Sequence, residues 1–213
     1  MPETGATAAA LDTAAALLLR EPEAPLRESV AIWTGRPPPP LERMRQDFRD
    51  VLCVPQSGRF VPPYEHVLRR ARREGTMWFF PPARYDGGRE VEGEYARLGF
   101  DRRRLRVAPV FAAPHLPGDH LGFMFAFGAF VLGLREAAPE DVRRRLDRVL
   151  AAFVRHHLGE CVETYAALLE DRGGGDYLAA VADAVREAAA MMRRLRRPAG
   201  RRREPRPVTI AAS

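Results

Sequence analysis

Between Leu121 and Leu134 the chain runs for 14 residues without a charge on any face. A bilayer span needs about 20 such residues at 1.5 Å rise each, so this run is too short to cross a membrane. A helix that is apolar all round has to be wrapped by other elements. The run therefore predicts a buried central helix near 119–135 in a layered helical body.

The flanking sequence supplies the wrapping. After the breaker "RPPPP", Leu41, Met44, Phe48, Val51 and Leu52 share one helical face, with Glu42, Arg43, Arg45 and Arg49 opposite. The proline-rich stretch "CVPQSGRFVPPY" delivers the chain to a short helix expected over Tyr64–Arg73, and Pro63 suits its first turn. "MWFFPPARYDGG" is the one candidate for extended backbone. Val91, Tyr95 and Leu98 have helical spacing and Gly99 closes their helix. From Pro139 to Asp171 an apolar stripe continues with Gly159 as its weak point, leaving one long helix or two meeting there. Asp176 suits the start of a last helix, Tyr177 to about Arg197. The N-terminal "MPETGATAAALDTAAALLLR" has an acid where a leader has basic residues, and Asp12 interrupts its apolar part, so it reads as a first helix. No strand alternation, internal repeat or glycine-rich phosphate loop is visible.

The expectation is an all-α, single-domain compact globule of about 8–11 helices, a size for which one core suffices. Residues 1–192 form that domain, and 193–213 form an arginine- and proline-rich tail expected to be disordered.

Charge excludes less than it first suggests. The formal net charge is +6, but eight arginines and one glutamate lie between Arg193 and Arg206, so the body is almost neutral. The tail suits nonspecific contact with phosphates, yet no helix-turn-helix, zinc finger or RNA-binding sequence accompanies it, which argues against a nucleic-acid function. There is no lysine, which removes a P-loop lysine, a Schiff-base lysine and a Ser-x-x-Lys nucleophile. Cys53 and Cys161 lack paired spacing, as expected in a reducing cytoplasm. Ser29, Ser57 and Ser213 show no nucleophile elbow.

Two short stretches carry the candidate site. In "HLPGDH", His115, Asp119 and His120 approach the spacing of a metallo-hydrolase motif, but Pro117 occupies a ligand position and no sheet supports the loop. A metal-dependent hydrolase is thus the weaker alternative, and no metal, cofactor or catalytic residue is expected. Asp119 reads as the N-cap of the central helix, accepting backbone N–H bonds around Gly122, with acceptors left over for a cation. His120 reads as a structural hydrogen-bonding residue. In "VPPYEHV", Pro63 and its neighbour stiffen a turn displaying Tyr64 and Glu65, an aromatic and an acid suited to a partner's arginine. Of the adjacent His156 and His157, one faces the core and the other solvent.

The order of these stretches resembles the TorD/DmsD/NarJ family of redox-enzyme maturation chaperones. The resemblance runs over roughly residues 41–186. "DFRDVLCVPQSGRFVPPYEHV" is similar to the family's aromatic segment, proline-rich loop and Pro-Pro-aromatic-Glu turn, with Val51-Leu52 in place of Leu-Phe. "LPGDHLGFMFAFGAF" is similar to the Glu-Pro-x-Asp-His signature and its apolar helix, departing from it at Leu116, where the family usually has glutamate. "FVRHHLGECVETYAALLED" and "DYLAAVA" resemble the later helices. The resemblance implies a cytoplasmic chaperone without enzymatic activity. Its partner is the apo-form of a molybdopterin oxidoreductase or that enzyme's twin-arginine signal peptide. It also implies client contact through Pro63, Tyr64, Glu65, Pro117, Asp119 and His120, and a monomer or a weak or domain-swapped dimer.

Overall fold

The central helix is present and is enclosed as its composition requires. In the computed structural model, which describes residues 2–84, 87–173 and 175–195, α6 spans Leu121–Ala137. Phe123, Phe125 and Phe127 are at most 1% exposed, and each such ring contributes about 1.5–3 kcal/mol by leaving water. Around α6 are α1 (Pro2–Leu19), α5 (Arg89–Leu98) and α7 (Glu140–Phe153). Behind α1 lies α9 (Gly175–Leu195), which also packs on α8 (Gly159–Asp171) and α2 (Ala24–Thr34). The α1 and α6 backbones approach closely because α6 carries Gly122. A Cβ there would lie 2.5 Å from Leu19 Cγ.

The remaining elements position the site. The helix α3 (Leu41–Asp47) continues as a π-turn segment, Phe48–Cys53, so the amphipathic stripe read from the sequence is kept through Leu52. The expected helix of 139–171 is α7 and α8 joined through a second π segment, Val154–Leu158, immediately before Gly159. The last helix starts two residues earlier than expected and is described to Leu195; residues 196–213 of the arginine-rich segment lie outside the described residues. Among the described residues no helix is long and apolar enough to cross a membrane.

One expected helix is corrected. Instead of running from Tyr64 to Arg73, α4 spans only Glu65–Leu68, and Arg72–Glu74 form a strand β1 that pairs antiparallel with β2, Met77–Phe79. Cross-strand contacts win over the helical propensity of the arginines. Arg72 lies over Phe79 and Arg73 over Trp78, and the Trp78 indole N–H donates to Asp171 at 2.7 Å. Part of the stretch singled out for extended structure is therefore β2.

Candidate functional site

The two candidate stretches meet. Tyr64 and His120 form an isolated antiparallel bridge, in which Glu65 N–H donates to Asp119 C=O at 3.0 Å and Leu121 N–H to Pro63 C=O at 2.8 Å. The bridge places the start of α4 beside the start of α6. All six candidates, Pro63, Tyr64, Glu65, Pro117, Asp119 and His120, are brought to this junction, and all six are buried.

Asp119 is a capping acid for a different helix from the one expected. Its Oδ2 accepts the His66 backbone N–H at 2.8 Å, in the first turn of α4, and lies 2.6 Å from His66 Nδ1. Since His66 Nε2 accepts the Arg84 N–H at 3.0 Å, Nδ1 carries the ring proton and donates it to Asp119. The cap of α6 is His120, whose Nδ1 accepts from Gly122 N–H at 3.0 Å. The reason is register. His120 is the last extended residue before α6, and its ring nitrogen reaches the second helical N–H as an asparagine oxygen would.

His120 is locked in its neutral form. Its ring is surrounded by Tyr64, Phe111 and Phe123. Burial, followed by the nearby Arg102 charge, lowers its pKa to about 3. Its Nε2 has no hydrogen-bond partner among the described residues. Burial also raises the Tyr64 phenol to about 12.

Glu65 is not displayed at the edge of a groove. It lies 2.9 Å from His157 Nδ1 and 2.6 Å from Arg69 Nη2, with its carboxylate almost fully covered. His157 is buried and His156 exposed, as two helical neighbours should be. Tyr64, Phe123 and Phe127 are likewise inside the core. Neither the Asp119 partner of His66 nor the Glu65 partner of His157 is visible in the sequence, although both histidines lie within quoted stretches. Their partners are distant in the chain, so no local spacing announces them.

Gly118 and Leu116 are held through their backbones. The Tyr95 hydroxyl donates to Gly118 C=O at 3.0 Å. Arg102 donates to Leu116 C=O at 2.6 Å and to Pro114 C=O at 3.0 Å, with its guanidinium 5.4 Å from the Phe123 ring centre. The site therefore engages Leu116 by an atom that every residue type possesses.

A cavity of about 440 Å³ opens beside the junction, lined by Glu65, His66, Asp119 and His157 and rimmed by Arg70 and Arg89. Asp119 Oδ1 has no hydrogen-bond partner among the described residues. Gly88 lies directly over this carboxylate at φ 82°, and a Cβ there would be 2.5 Å from Asp119 N. Only glycine combines that left-handed backbone with so close an approach. Among the described residues no group of three His, Cys, Asp or Glu side chains is placed to hold a metal ion. Asp119 Oδ2 and His120 Nδ1, two of the atoms a metal reading needs, are engaged in the two caps.

No curated protein and no solved structure matches the chain. The family model described as "Nitrate reductase delta subunit" matches residues 5–166, a span that runs from within α1 through most of α8 and contains the whole junction. The chain belongs to the nitrate reductase delta subunit family, a family of chaperones for molybdoenzyme maturation.

Proposed function

We propose that the chain is a system-specific chaperone that binds the apo-form of a molybdopterin-dependent oxidoreductase, through its signal peptide or a mature segment. It acts in the cytoplasm, during cofactor insertion and before twin-arginine export. The observation that carries this reading is the unpartnered Asp119 Oδ1 beside the cavity where the two stretches meet. A buried acceptor without a donor is costly, about 1–3 kcal/mol, and an arginine or amide N–H from a client offsets that cost. The acid is already fixed by two bonds to His66, so little freedom is lost on binding. Pro63, Tyr64, Glu65, Pro117 and His120 act by holding Asp119 in place.

The test is calorimetric titration of the chain with signal peptides of molybdoenzymes from the same genome, together with co-purification of the matching apo-enzymes. One client is expected to bind with a Kd in the micromolar range or tighter, and cofactor loading to release it. If neither peptides nor apo-enzymes bind, the reading fails.

A further inference from the structure

The hairpin Arg72–Phe79 is the one sheet element among the described residues. Two strands of three residues do not hold themselves in water, and this pair is secured on its inner face. Trp78 Nε1 donates to Asp171 at 2.7 Å, and Arg73 lies 3.4 Å from the same carboxylate. Strand alternation turns Met77 and Phe79 to the other face, where they are 59% and 39% exposed. The fold thus fixes two large apolar side chains in solvent.

The two edges of the hairpin differ. β1 reads Arg-Arg-Glu and β2 reads Met-Trp-Phe. Charged residues on an edge strand discourage further pairing, and an uncharged edge invites it. Neither strand has a second strand partner among the described residues, so the uncharged edge of β2 is open. Beside β2 lies a cavity of about 290 Å³ between the hairpin and the end of α8, lined by Thr76, Met77, Trp78, Leu168, Asp171 and Arg172.

The charges around this groove select its occupant. Asp171 is engaged by Trp78 and Arg73, and Glu74 lies 3.3 Å from Arg72. Arg72, Arg73 and Arg172 outnumber those two acids. We infer that the open edge of β2 and the groove beside it bind an extended segment of a client polypeptide carrying alternating acidic and apolar residues, added as a third strand. Backbone pairing gives contact that tolerates sequence variation, and the Met77/Phe79 face and the arginines give selectivity. This rests on the chaperone reading above and adds a second contact, away from Asp119.

The test uses the full chain and two synthetic peptides. One alternates glutamate with leucine or valine; the other carries an arginine pair followed by an apolar stretch. Titration calorimetry is expected to detect the acidic peptide, with affinity at least tenfold weaker for Met77→Glu and for Arg172→Glu and unchanged for Asp119→Asn. Hydrogen exchange on the unmutated chain is expected to show added protection across Met77–Phe79 when that peptide is added, led by Trp78, whose N–H the ladder's alternation turns to the open edge, a readout that needs no variant to fold. Failure of the acidic peptide to bind, or binding that leaves those amides unprotected, overturns the inference. If the arginine-pair peptide or an apo-molybdoenzyme binds while the acidic peptide does not, the strand site falls and the chaperone reading stands. If none of the three binds, both fall.

Discussion

Asp119 Oδ2 lies 2.6 Å from His66 Nδ1, across 53 residues of sequence. That contact joins the start of α4 to the approach to α6, and it settles the tautomer of His66 through the Arg84 N–H on the opposite ring nitrogen. One carboxylate oxygen is fully used and the other has no partner among the described residues. The structural and the proposed client roles of Asp119 are thus divided between its two oxygens.

That division is open to experiment. Asp119→Ala leaves two His66 donors without their acceptor and is expected to lower stability by about 2–4 kcal/mol. Asp119→Asn keeps one oxygen for His66 and replaces the free one with an N–H₂ donor. It is expected to stay within about 1–2 kcal/mol of the parent in urea unfolding, while client affinity falls at least tenfold, or about 1.4 kcal/mol. Equal client affinity for the Asp119→Asn variant and the parent protein would remove Oδ1 from the client contact.

How much of this was legible in the sequence varies with the range of the interaction. The uncharged run 121–134 specified a buried helix because its composition leaves no other solution. The stretches around Tyr64 and Asp119 stood out through proline, aromatic and acidic residues, yet nothing local indicates that they pair backbone to backbone. The usual preference for aspartate points to Asp119 as the cap of α6, and one residue of register gives the position to His120. The arginines of β1 favour helix on intrinsic propensity. Asp171, nearly a hundred residues later, anchors Trp78 and Arg73 and reverses that preference.

Glu65 and His157 test the buried side of the junction. Glu65→Ala leaves the His157 Nδ1 donor without its carboxylate and is expected to cost about 2–3 kcal/mol. His157→Ala loses both the bond and its contact with Phe153. Because the two residues are in contact, the double variant is expected to be more stable than the sum of the single losses predicts, by about 1 kcal/mol or more. Additive losses in denaturant unfolding would show that the pair contributes no coupling.

Gly88 offers a test by close approach. At φ 82° with its Cβ position 2.5 Å from Asp119 N, Gly88→Ala meets backbone strain of about 1 kcal/mol or more and a steric clash. A total loss of more than about 2 kcal/mol is expected, accompanied by faster exchange of the His66 amide that Asp119 accepts. An alanine variant as stable as the parent would mean that the backbone over Asp119 relaxes freely.

The buried neutral His120 imposes a pH dependence whose sign follows from its lowered pKa. In the unfolded chain the imidazole takes up a proton below about 6.5, whereas in the fold it resists protonation down to about 3. Between those values the unfolded state binds more protons, so stability falls as pH falls, by about 1.4 kcal/mol per unit from this residue alone. His120→Asn retains a cap acceptor for Gly122 N–H and removes the titration. It loses the ring contacts with Tyr64, Phe111 and Phe123, so at pH 7.5 the variant is expected to be the less stable protein. On going from pH 7.5 to 4.5 it is expected to lose about 2–3 kcal/mol less than the parent. Parallel stability curves for the two proteins over that range would show that His120 is protonated in the folded state as readily as in the unfolded one.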